Sequence, residues 1–109
     1  MELLKVEFVP GDPSVAQLEG EIDLSTAGEL RTALEQAIST DPKVVIDMAG
    51  VSVVDASGLR VVLQVAASRN GSGPLPLRNA SRVKRILDLV GLSELASIEF
   101  RDAGDTRGR

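Results

Sequence analysis

The hydrophobic period of this chain changes near residue 24, and that change restricts the architecture. Over residues 3–9, Leu4, Val6 and Phe8 share one face while Lys5 and Glu7 share the other. Over residues 14–22, Ala16, Leu18, Gly20 and Ile22 point one way and Gln17, Glu19 and Glu21 the other. Strict alternation is the mark of half-buried strands. Pro10-Gly11-Asp12-Pro13 between them is a turn by composition, so the two strands are predicted to form an antiparallel hairpin.

The period then becomes helical. Thr26-Ala27-Gly28-Glu29 has the spacing of a capping box, with Thr26 as N-cap and Glu29 three residues on. Ala27, Leu30, Leu34, Ala37 and Ile38 make one apolar face of a helix running to about Ser39, stopped by Thr40-Asp41-Pro42. Val44 to Met48 is apolar except for Asp47. It reads as a central strand buried on both faces, as in sheets with helices on each side. Val51 to Val54 extends it after a break at Gly50. Leu59, Val62, Leu63, Ala66 and Ala67 predict a second helix from about Ser57 to Ser68. Asn70 to Pro74 is a flexible connection, and Leu75 to Leu77 a short strand. Asn79 or Ser81 is expected to cap a third helix carrying Val83, Ile86, Leu87 and Val90, with Gly91 in the C-cap position. Leu92 to Ala96 is a candidate extra turn, and Ile98 and Phe100 alternate in a last strand.

The expected fold is α/β: one mixed sheet, opening with an antiparallel hairpin and continuing in parallel βα units, packed with three to four helices. At 109 residues this is a single domain over residues 1–100, with residues 101–109 a polar, flexible tail. No apolar run approaches the roughly 18 residues of a membrane span, and the N-terminus lacks a signal-peptide pattern, so a cytoplasmic address is expected.

Composition removes most catalytic classes. The chain has no His and no Cys. A Ser-His-Asp triad, a histidine or thiolate metal site and a disulfide framework are therefore excluded. Residues 1–55 hold 3 basic and 11 acidic groups, a net −8, while residues 56–109 hold 9 basic and 5 acidic groups, a net +4. Such asymmetry suits electrostatic steering of a partner, although two solvated surfaces of opposite sign would look the same. With net charge −4 and two Phe as its only aromatic residues, the chain is a poor candidate for direct nucleic-acid binding.

Asp55-Ala56-Ser57-Gly58 is the segment best placed to act. Ser57 opens a helix, where free backbone N–H groups and the helix dipole favour an anion such as phosphate. Its plainer reading is a helix N-cap, with Gly58 permitting tight packing. Ser57 is no hydrolase nucleophile. Asp55 and Leu59 stand where the elbow motif requires glycines, and no His exists to act as base. Gly71-Ser72-Gly73 lacks the Lys and Ser/Thr of a phosphate loop. Glu21 and Asp23 share a face that suits a cation or a basic partner, or simply forms an acidic rim. Asp47, if buried, should be hydrogen-bonded or lie at the strand's end, and is expected to support the loop holding Asp55. Catalysis by Asp23, Asp47 and Asp55 would need the three to converge. Arg60 and Gln64 share the exposed stripe of the second helix.

In order, these pieces resemble the STAS domain family. Gly20-Glu21-Ile22-Asp23-Leu24-Ser25-Thr26-Ala27 is similar to that family's strand-to-helix segment. Val44 to Leu63, with Asp47 and Asp55-Ala56-Ser57-Gly58-Leu59, is similar to its phosphorylation segment. Leu77-Arg78-Asn79 and Ile86-Leu87-Asp88-Leu89-Val90-Gly91-Leu92 resemble its last strand and helix. The resemblance covers roughly residues 3–100 and is to the single-domain bacterial anti-sigma factor antagonists.

The resemblance implies a non-enzymatic regulator without metal or cofactor, a monomer or weak dimer. Unphosphorylated, it would bind an anti-sigma factor that is also a serine kinase, releasing the sigma factor. Phosphorylation of Ser57 would separate the complex, and a PP2C-type phosphatase would reset it. Where the family often has two serines, this chain has Ala56 and Ser57. The implied partner surface is Asp23, Ser25, Thr26, Asp55, Ala56 and Gly58, joined by Arg60 and Gln64. The alternative is a STAS regulatory subunit of a transporter or stressosome, with Ser57 a structural helix cap.

Overall fold

A computed structural model of the chain describes residues 4–69, 72–92 and 95–101. The elements are β1 (Lys5–Val9), β2 (Val15–Ile22), α1 (Ala27–Thr40), β3 (Val45–Val54), α2 (Ala56–Ala67), β4 (Leu75–Arg78), α3 (Ser81–Leu89) and β5 (Ile98–Arg101). The five strands form one sheet in the order β1-β2-β3-β4-β5. β1 and β2 are antiparallel and the remaining pairs parallel, so the predicted α/β architecture stands.

Register divides the sheet into two unlike faces. Phe8, Ala16, Ile46, Leu77 and Phe100 are successive cross-strand partners, an apolar row crossing every strand. The neighbouring positions Glu7, Gln17, Asp47, Arg78 and Arg101 form a polar row on the other face, because side chains alternate along a strand. Strand order also rises monotonically with sequence. With the right-handed crossovers parallel strands require, all three helices lie on one face. Leu30 and Leu34 of α1, Leu59, Val62 and Val65 of α2, and Val83 and Leu87 of α3 share a core with Ala16, Ile46 and Leu77. The expectation of helices on both sides of β3 is thus corrected. The apolar run Val44–Met48 is buried, but Asp47 is covered by polar neighbours on the helix-free face.

Gly50 does not break β3. The register skips one β3 residue between Gln17/Asp47 and Glu19/Gly50, and another between Gly20/Val51 and Glu21/Val53. These are β-bulges, and they let the 10 residues of β3 run beside the 8 of β2. A Cβ at Gly50 would sit 3.0 Å from the Leu18 carbonyl oxygen, so the glycine allows the close approach there. With two residues absorbed, the strands end level, Ile22 opposite Val54.

Helix ends differ from expectation in three places. Thr26 precedes α1 but makes no capping hydrogen bond with its side chain. α2 is capped by Asp55, one residue before the helix, and not by Ser57. Neither Asn79 nor Ser81 caps α3. Ala80 occupies that position, while Asn79 adopts φ 56° and turns its amide toward Asp47. The C-terminus of α3 follows the prediction. Gly91 has φ 80°, its N–H donates to Asp88 O (3.2 Å), and Leu92 N–H donates to Leu87 O (2.7 Å). That pair of bonds is a Schellman motif, which favours glycine at the left-handed position. Asn70, Gly71, the middle of the candidate turn Leu92–Ala96 and the tail beyond Arg101 lie outside the described residues.

Candidate functional site at the carboxyl edge of β2 and β3

The level ends of β2 and β3 place Asp23 and Asp55 side by side in the topology, each one residue beyond the Ile22/Val54 pair. Asp55 N–H donates to Ile22 O (3.0 Å), extending the ladder by one bond. From this edge β2 leads into α1 and β3 into α2, so both helix N-termini lie beside the two carboxylates.

Each carboxylate folds its own loop. Asp23 Oδ1 accepts from Ser25 N–H (2.9 Å), Ser25 Oγ (2.7 Å) and Thr26 N–H (3.2 Å). The Ser25 hydroxyl first, then these backbone bonds, hold the Asp23 carboxyl below the usual carboxylate range. The Thr26 hydroxyl donates to Glu21 O (2.8 Å) and accepts from Asp23 N–H (3.0 Å). Thr26 is 2 % exposed. Its hydroxyl is therefore turned back into the β2 end, which is why the predicted capping box with Glu29 does not form. Asp55 is extended (φ −113°, ψ 179°), and its Oδ1 accepts from Ser57 N–H (2.9 Å) and Gly58 N–H (3.1 Å). This is the N-cap geometry, worth about 1 kcal/mol.

The cap leaves Ser57 at the second position of α2, half-buried. Its hydroxyl makes no hydrogen bond among the described residues, although its backbone N–H is held. Gly58 is buried against the end of β2, where a Cβ would lie 1.9 Å from Ile22 Cγ2 and 3.0 Å from the Ile22 carbonyl. Gly58 therefore sets the approach of α2 to β2 and presents no side chain to a partner. Asp23 and Ser57 are half-buried, and Ser25, Asp55, Ala56, Arg60 and Gln64 are exposed along this edge and the start of α2.

Two side-chain pairings escaped sequence reading. Arg31 of α1 donates to Gln64 Oε1, tying the exposed stripe of α2 to its neighbour. Arg31 falls outside the apolar stripe of α1, and nothing in its spacing names a partner 33 residues away. The second is the Asp47 network. Arg78 Nε (3.1 Å) and Nη2 (2.8 Å) both donate to Asp47 Oδ2, while Asn79 Nδ2 (3.1 Å) and Ala49 N–H (2.9 Å) donate to Oδ1. Asp47 therefore anchors the β4–α3 corner and not the Asp55 loop. Asp55 lies eight residue steps further along the chain, at about 3.3 Å per step of extended strand. The three carboxylates do not converge, as catalysis by Asp23, Asp47 and Asp55 would require. The succession Arg78-Asn79 after a strand was the available signal.

Residues 9–98 match the protein family described as Mlab, STAS domain. The chain belongs to the STAS domain family. Two solved structures share the fold of this STAS domain. An anti-sigma factor antagonist from Mycobacterium paratuberculosis is similar with TM-score 0.73 and 22 % identity, over 89 % of this chain and 84 % of that one. The anti-sigma factor antagonist SpoIIAA in its unphosphorylated form is similar with TM-score 0.66 and 22 % identity, over 96 % of this chain and 91 % of that one. Among the described residues of the STAS domain no helix is long and apolar enough to cross a membrane.

Proposed function

We propose that this STAS domain is an anti-sigma factor antagonist, a cytoplasmic regulator that works as a docking surface and a kinase substrate and not as an enzyme. It binds an anti-sigma factor that is also an ATP-using serine kinase, and so frees the sigma factor. The observation that carries the reading is the division of labour between Asp55 and Ser57. Asp55 takes over the capping of α2, and Ser57 is left with an uncommitted hydroxyl on a helix N-terminus. Similarity of fold to two antagonists supports the same reading.

The kinase transfers the γ-phosphoryl group of ATP to Ser57 Oγ. The Oγ–P bond forms, the bond to the β-phosphate breaks, and the hydroxyl proton passes to a base on the kinase. The product gains about −1.5 to −2 charge at pH 7. Within the domain the N-terminus of α2 offsets part of this, by about 0.3–1 kcal/mol. Across an interface nothing need do so. Like charges brought together cost several kcal/mol, and each 1.4 kcal/mol is tenfold in affinity. Asp23 and Asp55 already make this edge acidic, so a phosphate there releases the partner without disturbing the fold. A PP2C-type phosphatase restores the binding state. Asp23, Ser25, Asp55, Ala56, Arg60 and Gln64 form the contact surface, and Thr26 and Gly58 shape it from beneath.

The competing reading made Ser57 a helix cap in a transporter or stressosome subunit. Its structural half is lost, because Asp55 is the cap. Incubation with the cognate kinase and ATP, followed by intact-mass measurement, tests the proposal. A gain of one phosphate that disappears in Ser57→Ala supports it. Absence of any gain, with a transporter ATPase recovered as the bound partner, overturns it.

A further inference from the structure

Among the described residues, four of the ten Lys and Arg side chains pair with a carboxylate. Arg31 pairs with Glu35, Arg78 with Asp47, Lys84 with Asp88 and Arg101 with Glu99. Arg60, Arg82 and Arg85 are exposed, and none has a carboxylate within salt-bridge distance among the described residues. Arg82 and Arg85 line a surface cleft of about 420 Å³ with Val54, Ser81 and Ile86. Among the described residues no carboxylate lines it. Val54 is the last residue of β3, so the cleft adjoins the edge that carries Asp55 and Ser57. At that edge Asp55 Oδ1 is committed to the N-cap of α2.

The arginines are also placed against local preference. α3 has no side-chain cap and no acidic residue in its first turn, yet Arg82 is its second residue and Arg85 its fifth. Cations at a helix N-terminus oppose the helix dipole, and an anion in front of them relieves that conflict. Val54 and Ile86 give the cleft an apolar wall beside its two guanidinium groups, which matches a peptide better than a free ion.

We infer that the cleft between the end of β3 and α3 is a second docking site, taking an acidic peptide segment of the protein partner. The inference rests on the antagonist reading and supplies the partner's chemistry. The two surfaces are continuous through Val54-Asp55. An acidic segment seated on Arg82 and Arg85 lies next to the edge where phosphorylation of Ser57 places new negative charge. The phosphate then repels the docked acidic segment as well as the partner surface seated at Ser57, so one modification weakens both halves of the interface.

Titration of the ¹⁵N-labelled domain with a hexaglutamate peptide tests the inference without the kinase. The expected result is chemical-shift change concentrated at Val54 and Ser81 to Ile86, reduced at least tenfold in apparent affinity by R82E/R85E. Raising salt from about 0.05 to about 0.5 M should suppress it, because exposed charges are screened over a few ångströms at that strength. R82Q/R85Q, which removes charge without reversing it, should give an intermediate loss and guards against a misfolded reversal variant. Shifts spread evenly over the domain, or unchanged in both variants, overturn the inference. So does an equal response to inorganic phosphate, which would make the cleft a site for a free anion. Because the titration uses neither kinase nor ATP, its failure leaves Ser57 phosphorylation untouched. Failure of phosphorylation likewise leaves the titration result standing.

Discussion

Gly58 of α2 rests directly on Ile22 of β2, with room for a hydrogen and not for a methyl group. A Cβ at position 58 would lie 1.9 Å from Ile22 Cγ2 and 3.0 Å from the Ile22 carbonyl carbon and oxygen. Ile22 is fully buried, so its side chain has little freedom to turn away. The contact ties the helix that carries Ser57 to the strand that leads to Asp23.

Gly58→Ala is therefore expected to lose about 2–3 kcal/mol of stability, the scale of overpacking in a close-packed interior. Ala is the better helix former, so a gain in stability measured by urea unfolding would mean that the contact is not rigid.

Asp55→Ala removes the acceptor for two backbone N–H groups at the start of α2 and should lose about 1 kcal/mol. Asp55→Asn keeps an acceptor oxygen and should lose less than half of that. Equal losses by urea unfolding would show that charge at position 55, and not the capping geometry, is what stabilises α2.

Asp47 gives the fold a dependence on acid. Its burial favours the neutral form, but the Ala49 N–H, the Arg78 guanidinium and the Asn79 amide together outweigh that and hold the carboxyl below its ordinary 3.8. A depressed value means that the unfolded chain binds the proton more readily. Stability from this group is complete above about 3.8 and is lost as pH falls below it through the folded-state value. Asp47→Asn should flatten the fall in stability of the domain as pH drops below about 3.8. Asp47→Ala strands Arg78 on the sheet face and should cost about 3 kcal/mol at pH 7. Chemical denaturation across the pH series checks both.

Ser57→Ala should fold as the parent does, bind the cognate kinase and resist phosphorylation. Ser57→Asp places a carboxylate at the same helix position and should bind at least tenfold more weakly, a change of about 1.4 kcal/mol. Calorimetric titration of the kinase with both variants makes the comparison. Equal affinity of Ser57→Asp and the parent sinks the electrostatic part of the mechanism.

Much of the domain was legible from residue order alone. The alternation Ala16, Leu18, Gly20, Ile22 and the helical spacing Leu30, Leu34, Ala37 each report a local geometry that repeats along the chain, and each marks the buried side of its element. Gly91 was readable for the same reason, since one left-handed residue ends a helix without outside help. The candidate site was legible as a segment, Asp55 to Gly58, but the roles within it were not. Both Ser57 and Asp55 are residues that cap helices, and only the backbone conformation at Asp55 makes it the cap. Thr26 shows the same limit. Its hydroxyl had a local partner in the capping pattern and a better one in the Glu21 carbonyl, which β2 delivers.

The sequence by itself determined the elements, their order and the chemistry withheld, because side-chain period and the absence of His and Cys are properties of a chain before it folds. Tertiary structure alone decided what those elements do together. It placed all three helices on one face, which strand order and crossover handedness control and local pattern does not. It joined Asp47 to Arg78 across 31 residues of sequence and set Arg82 and Arg85 beside Val54. Such pairings depend on register between strands. A register is chosen by packing of the whole sheet against its helices, so no single segment contains it.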